Sequence, residues 1–321
     1  MEIIDNKCPS CGASLEYNIE TQNWKCKHCR KEYGLSEVKK IKHSSRKNIN
    51  ELICPTCNAK LMVNDNIIST KCIYCRNDVI VEKTKDKISV PDKIIPFRVG
   101  KKELKRVLKD FTKNKKLLPD TFDITKYVNE AQGIYIPFWL FTNKYKVTAR
   151  KENSIVKKAE MLFENIPLDA NKHLDNNLIR TIEPYNYNEL TKFDASYLAG
   201  FIAQKYDIES SEGKKEIKER CALSIEELLS NPKSKYAVNN DLVHETLIEE
   251  KIEYALLPLW LIDFEFNNDK YLIIVNGQTG KVSGHLPISK SRKFYLSLGV
   301  FSISLIILLI VFIMLRWVGV L

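Results

Sequence analysis

Cys8-Pro-Ser-Cys11 and Cys26-Lys-His-Cys29, then Cys54-Pro-Thr-Cys57 and Cys72-Ile-Tyr-Cys75, are the stretches on which the reading of this chain turns. Fourteen residues separate the two pairs of the first set, and fourteen separate the two pairs of the second. Adding 46 carries every cysteine of the first set onto the second, and likewise Leu15 onto Leu61, Lys25 onto Lys71 and Arg30 onto Arg76. A module has therefore been duplicated. A C-x-x-C turn can aim two sulfurs at one ion, and two such turns on adjacent hairpins complete a tetrahedron with Zn–S bonds of about 2.3 Å. The gap accommodates two short strands and a turn. The spacing thus predicts two zinc ribbons with Cys8, Cys11, Cys26, Cys29 and Cys54, Cys57, Cys72, Cys75 as ligands of two structural Zn2+ ions. Four thiolates leave no open coordination position, so neither ion is expected to be catalytic. Modules this small draw most of their folding energy from the metal.

The other cysteine, Cys221, has no partner in this pattern and reads as a half-buried helix residue. Nine cysteines behind an N-terminus without an apolar stretch (MEIIDNKCPS) point to thiolate chemistry in a reducing compartment rather than to disulfides. The formal charge of +10 invites a nucleic-acid or anionic-membrane reading. Each tetrathiolate zinc adds two negative charges, however, which brings the total to about +6. Residues 1–93 carry 17 Lys/Arg against 12 Asp/Glu. With both ions bound that segment is nearly neutral, at about +1, so the positive excess lies downstream.

Near the C-terminus, FYLSLGVFSISLIILLIVFIML (294–315) runs for 22 residues without a charge. As a helix it spans about 33 Å, enough for a hydrocarbon core of about 30 Å. Lys290, Arg292 and Lys293 precede it and only Arg316 follows. The positive-inside rule then predicts a single-pass tail anchor in the cell membrane, with the N-terminal bulk in the cytoplasm.

The segment between reads as a mixed α+β domain rich in antiparallel strands. The expected order is zinc ribbon 1 (1–35), a basic linker (36–50), zinc ribbon 2 (51–85), the α+β domain (86–290) and the transmembrane anchor (291–321). Leu104, Val107, Leu108 and Phe111 fall at i, i+3, i+4 and i+7 of a helix opening at Gly100. Its other face is basic, with eight Lys/Arg against two acids over 101–116. That pattern suits a solvated face, or contact with anionic lipid or an acidic partner. Proline-led apolar strands are predicted at Ile95-Pro96-Phe97, over 135–141 and over 257–262, with proline at the strand start, where its missing N–H costs least. A meander follows: strand 259–266, turn at Asn267-Asn268-Asp269, strand 271–275, an Asn276-Gly277 turn and strand 281–285. Residues 189–230 read as helical. Gly280-Lys281 fails as a phosphate loop, because Val282 and Val275 stand where the hydroxyl residue and the first glycine belong. The five histidines (28, 43, 173, 244, 285) fall in no metal or nucleophile motif, and no enzyme site is expected.

Taken together, the CPxC ribbons, Ile95-Pro96-Phe97, 135–141, 197–201, Val275–Lys281 and Gly284-His285-Leu286-Pro287 resemble bacterial membrane proteins with N-terminal zinc ribbons. These are often labelled transcription-factor-IIB-type zinc ribbon proteins or relatives of the primosomal helicase N-prime. No Walker motif is present, so helicase activity does not carry over. Some of that group look like anchors for phage-shock-type stress proteins. The resemblance implies a non-enzymatic adaptor or scaffold that recruits a cytosolic or membrane-associated protein to the inner membrane face. The alternative is a nucleic-acid-binding zinc-ribbon protein tethered to the membrane. On that reading the basic stretch over 39–47 meets phosphates and Trp24 and Tyr74 stack on bases. On the adaptor reading, loop tips such as Asn64-Asp65-Asn66 meet the partner.

Overall fold

The computed structural model describes residues 8–40 apart from Ser14, 50–63 apart from Pro55, 69–72, Tyr74, 78–80, 90–151, 154–198, 201–231, 233–235 and 242–317. The first cysteine module is a three-stranded antiparallel sheet of β1 (Leu15–Asn18), β2 (Asn23–Cys26) and β3 (Glu32–Tyr33), closed by the short helix α1 (Leu35–Lys40). The second consists of the hairpin β4 (Asn50–Ile53) and β5 (Lys60–Val63) and the pair β6 (Ser69–Lys71) and β7 (Asp78–Ile80). The remainder, in chain order, is β8 (Lys93–Ile94), α2 (Lys101–Lys113), β9 (Gln132–Lys151), β10 (Ser154–Asp169), α3 (Asn176–Ile182), β11 (Thr191–Lys192), β12 (Ile202–Gln204), α4 (Lys214–Ser230), β13 (Leu242–Phe266), β14 (Asp269–Asn276), β15 (Val282–Gly284) and α5 (Lys290–Trp317). The chain is α+β with mixed sheets and a C-terminal apolar helix.

Two long strands organise it. β9 and β13 pair antiparallel from Leu242–Arg150 to Leu261–Gln132. One half of β9 then takes β12 in parallel and the other half takes β10, while β13 takes β8 and β14. Where the sheet is covered on both faces, the strands read as unbroken apolar runs. Along β13, Tyr254, Leu256, Trp260 and Ile262 enter one core, and Ala255, Leu257, Leu259 and Leu261 enter the other. Beyond that region β9, β10 and β13 continue as an arm, with α4 laying Ile217, Cys221, Ile225 and Leu229 against Phe141, Tyr145 and Val147. Cys221 is fully buried there, at 1% exposure, rather than half-buried.

The prolines do not start strands as expected. Pro137 and Pro258 lie inside β9 and β13. A residue's N–H and C=O point to the same side of a strand. Pro137 O accepts from Ala170 N (3.1 Å), so its missing N–H faces the gap between β12 and β10. Pro258 O accepts from Gly277 N (2.9 Å), which places its missing N–H between β8 and β14. Each proline sits where a long strand changes partner, and no ladder bond is lost.

Three further expectations are corrected. The strand at Ile95-Pro96-Phe97 ends at Ile94, and Phe97 is instead a core wedge, its ring 4.3 Å from that of Phe201. Among the described residues of 189–230, the stretch before α4 holds only the short strands β11 and β12 and single 3-10 turns, and α-helix is confined to α4. The hairpin turn expected at Asn276-Gly277 is present between β14 and β15, but its loop is longer than two residues and is closed by Gly280, which donates its N–H to Asn276 O at φ +77°. The helix expected from Gly100 is present as α2, with Leu104 and Leu108 buried.

Candidate metal centres

The two cysteine modules are built into the body on opposite faces of the main sheet. Leu15, Tyr17, Trp24 and Cys26 belong to the core that holds Phe97, Tyr135 and Trp260. Cys54, Ala59, Leu61 and Cys72 belong to the other, with Ile136, Phe138 and Leu257. β5 also pairs antiparallel with β12, through Leu61–Gln204 and Met62–Ala203, so the second hairpin is the edge of the main sheet.

Cys8, Cys11, Cys26 and Cys29 bring all four sulfurs within 4.8 Å of one another. Cys8 Sγ lies 3.4 Å from Cys29 Sγ, and Cys11 Sγ lies 3.5 Å from Cys26 Sγ. A tetrahedron with bonds of about 2.3 Å requires sulfurs about 3.8 Å apart. The cluster therefore fits a metal ion. Cys54, Cys57 and Cys72 form a second cluster within the same 4.8 Å limit, with Cys57 and Cys72 sulfurs 3.5 Å apart. Its expected fourth ligand, Cys75, lies outside the described residues, as do 41–49 of the basic linker and the tip Asn64-Asp65-Asn66. His28, between two ligands, is exposed.

One local geometry makes the turns. Cys8, Cys26 and Cys54 each accept, through the carbonyl, from the N–H four residues on (Gly12, Arg30 and Asn58, at 2.9, 3.1 and 2.8 Å), and each donates to the carbonyl of Ala13, Lys31 or Ala59. Gly12, Arg30 and Asn58 all have left-handed backbones, with φ of 72°, 61° and 60°. Only one of the three is glycine, although a non-glycine residue bears a cost of about 1 kcal/mol there. This turn folds the following amides toward sulfur, as in Cys29 N–H to Cys26 Sγ at 3.4 Å. Burial pushes the Cys8 thiol up. Hydrogen bonds from Tyr33 Oη, from the N–H groups of Ser10 and Cys11 and from Cys29 outweigh it and hold the thiol at about 6. Burial likewise opposes, and the Cys29 and His28 amides restore, a lowered Cys26. Such thiols are suited to bind metal as thiolates. Tyr33, 3.3 Å from Cys8 Sγ, is a site residue that the cysteine spacing does not reveal.

The two aromatics expected to stack on bases are occupied by the protein. Trp24 is 1% exposed, packs on Tyr17 and Tyr197 and donates Nε1–H to Ser196 O at 2.9 Å. Tyr74 stacks on His173 at 4.9 Å, and its hydroxyl donates to Gln204 Oε1 and accepts from Asn171 Nδ2. Gln204 in turn donates to Asp207 at 2.8 Å. This polar network ties the second centre to the body.

Asp169, two residues before Asn171, has one carboxylate oxygen with no hydrogen-bond partner among the described residues. Burial raises its carboxyl to about 7, Glu183 adds to the rise, and the Asn171 and Ala170 amides oppose it. The folded chain thus holds a proton that the unfolded chain releases near pH 4. The contribution of this group to stability is fully present below about pH 4 and is lost as pH rises through about 7. Asp169→Asn keeps the acceptor for Asn171 N–H and removes the titration. It is expected to stabilise the protein at pH 8 by on the order of 2 kcal/mol, and to flatten the difference in denaturant midpoint between pH 5.5 and 8.5. A midpoint that tracks the wild type across that range would overturn this assignment.

A duplicated cysteine centre, a shared α+β core and a C-terminal apolar helix define the class. The chain is similar to the uncharacterized protein YdjG of Bacillus subtilis (strain 168), with 33% identity over 315 residues covering 90% of this chain and 92% of YdjG. It belongs to the family of that protein. No family model and no solved structure matches it.

Proposed function

We propose that this protein is a non-enzymatic zinc-ribbon adaptor, held to the inner face of the bacterial cell membrane by α5, which presents its metal-braced body to a cytosolic or membrane-associated protein. Zinc is the ion this reading assigns to both centres, because an all-thiolate tetrahedral set selects zinc or an iron–sulfur cluster, and here it serves the fold. The observation that carries the reading is the contrast between two cysteine clusters anchored in the core by Cys8, Cys26, Cys54 and Cys72 and an apolar helix whose uncharged run is exposed at every described side chain. The stretch Lys290–Val311 has a mean hydropathy of 2.6 and none of it is buried. Lys290, Arg292 and Lys293 at its start favour a cytoplasmic body. The resemblance to anchors of phage-shock-type stress proteins supports a role in stress response. Nucleic-acid binding, the other reading, gains no stacking platform from Trp24 or Tyr74.

The test is a pull-down of detergent-extracted wild type against Cys8→Ser/Cys54→Ser, with nuclease treatment of the eluate. The expected result is a protein partner that survives nuclease and is lost in the cysteine variant. Recovery of nucleic acid alone, cleared by nuclease, would overturn the adaptor reading.

A further inference from the structure

Two basic segments far apart in sequence meet at the foot of the apolar helix. Ser289 N donates to Leu117 O at 2.8 Å, directly before α5 begins. Arg292, in the first turn of α5, donates to Leu118 O (2.8 Å) and Lys116 O (3.3 Å) and pairs with Asp120. Its guanidinium is thus a brace that fixes the turn after α2 against the start of α5. The brace also engages Asp120, the acid of that turn. The same two segments carry Lys113 at the end of α2, Lys115 and Lys116 just after it, and Lys290 and Lys293 in the first turn of α5, all exposed. Asp110, one turn back on α2, is the next acid along that helix. Exposed Ile288 on one segment and half-buried Phe111 on the other, with Lys115 Nζ 5.2 Å over its ring, add apolar surface.

We propose that these lysines form one collar that binds the headgroups of anionic phospholipids in the leaflet α5 enters. The inference rests on the reading of α5 as a membrane span. That reading fixes the height of the collar, because Lys293 immediately precedes the uncharged run. Lys290 and Lys293 stand at the entry of the span, and Lys116, whose carbonyl accepts from Arg292, is tied to the same place with its neighbours Lys113 and Lys115. Basic residues so close to a membrane surface attract anionic lipid. The chemistry favours lipid over an acidic protein or a nucleic acid. Its cations are compact point charges on flexible stems, without the bidentate forks or stacking rings that read a defined partner. The one arginine present is spent on the brace.

The test uses the full chain reconstituted in phosphatidylcholine vesicles with and without phosphatidylglycerol. The protein-restricted fraction of spin-labelled phosphatidylglycerol is compared with that of spin-labelled phosphatidylcholine. Wild type is expected to prefer the anionic lipid. K113E/K115E/K116E, which leaves α5 intact, is expected to lower that preference by at least about fivefold, the share of one surface lysine. K113Q/K115Q/K116Q is expected to fall between the two. Equal preference in all three proteins, with each resistant to alkaline carbonate, overturns the collar and leaves the span standing. Extraction of wild type by carbonate overturns both.

Discussion

Cys26→Ser is expected to remove one metal ion per chain and to unfold the first ribbon, leaving the second centre loaded. The magnitude follows from where Cys26 sits. It is an expected ligand, 1% exposed, at the end of β2, two residues from Trp24, and its carbonyl and amide build the turn that presents Cys29. Metal binding to structural tetrathiolate sites contributes about 10–16 kcal/mol of apparent free energy, and losing one of four ligands forfeits much of it. Metal analysis of purified protein should give about one ion where wild type gives about two, and limited proteolysis should cut first within residues 8–40. Retention of two ions would show that the first cluster does not hold one. Cys221→Ser serves as the control, since Cys221 belongs to no cysteine cluster among the described residues, and it should leave the metal count unchanged.

Trp24→Ala is expected to have the second-largest effect, with the opposite signature. Truncating a fully buried tryptophan costs about 3–5 kcal/mol. Here it also removes the N–H donor to Ser196 and two ring contacts, at 5.1 and 5.2 Å. The cysteines are untouched, so the metal count should stay at its wild-type value while the denaturant midpoint falls. Trp24→Phe, which keeps the ring contacts and loses the hydrogen bond, should recover more than half of the loss. Were Trp24→Ala to lose metal as readily as Cys26→Ser, the ribbon would depend on the body for its own centre.

The difference between these two variants also marks what could be read from the sequence. Ligand positions, the apolar helix and α2 are written in local periodicity, whether a fixed cysteine spacing, an uninterrupted apolar run or apolar residues at i, i+3, i+4 and i+7. The structure brings seven of the eight expected ligands together in two groups. What stayed hidden depends on partners distant in the chain. Trp24 looked like a surface aromatic because Ser196 and Tyr197, which cover it, lie some 170 residues away. The merging of the second hairpin with the main sheet runs through β12, three residues with no alternation to announce them. Pro137 and Pro258 suggested strand starts because proline is ordinarily excluded from strand interiors. Only the change of partner along β9 and β13 makes those positions permissible. The left-handed turns in the metal loops are filled by glycine, arginine and asparagine, so no single residue type signals them.

The long reach of these contacts has a consequence in time. Synthesis proceeds from the N-terminus, and the cysteine modules emerge first. Trp24 is completed by Ser196, 172 residues later. At translation rates of about 5–20 residues per second, that interval is roughly 10–30 s. The inner apolar face of the first module lacks the cover of Ser196 and Tyr197 for that interval, and that of Trp260 for longer still. On the zinc-ribbon reading, a module that has taken up its ion in that interval offers the later strands a formed surface, and one that has not offers an unformed one. Folding yield should therefore follow metal supply during translation rather than afterwards.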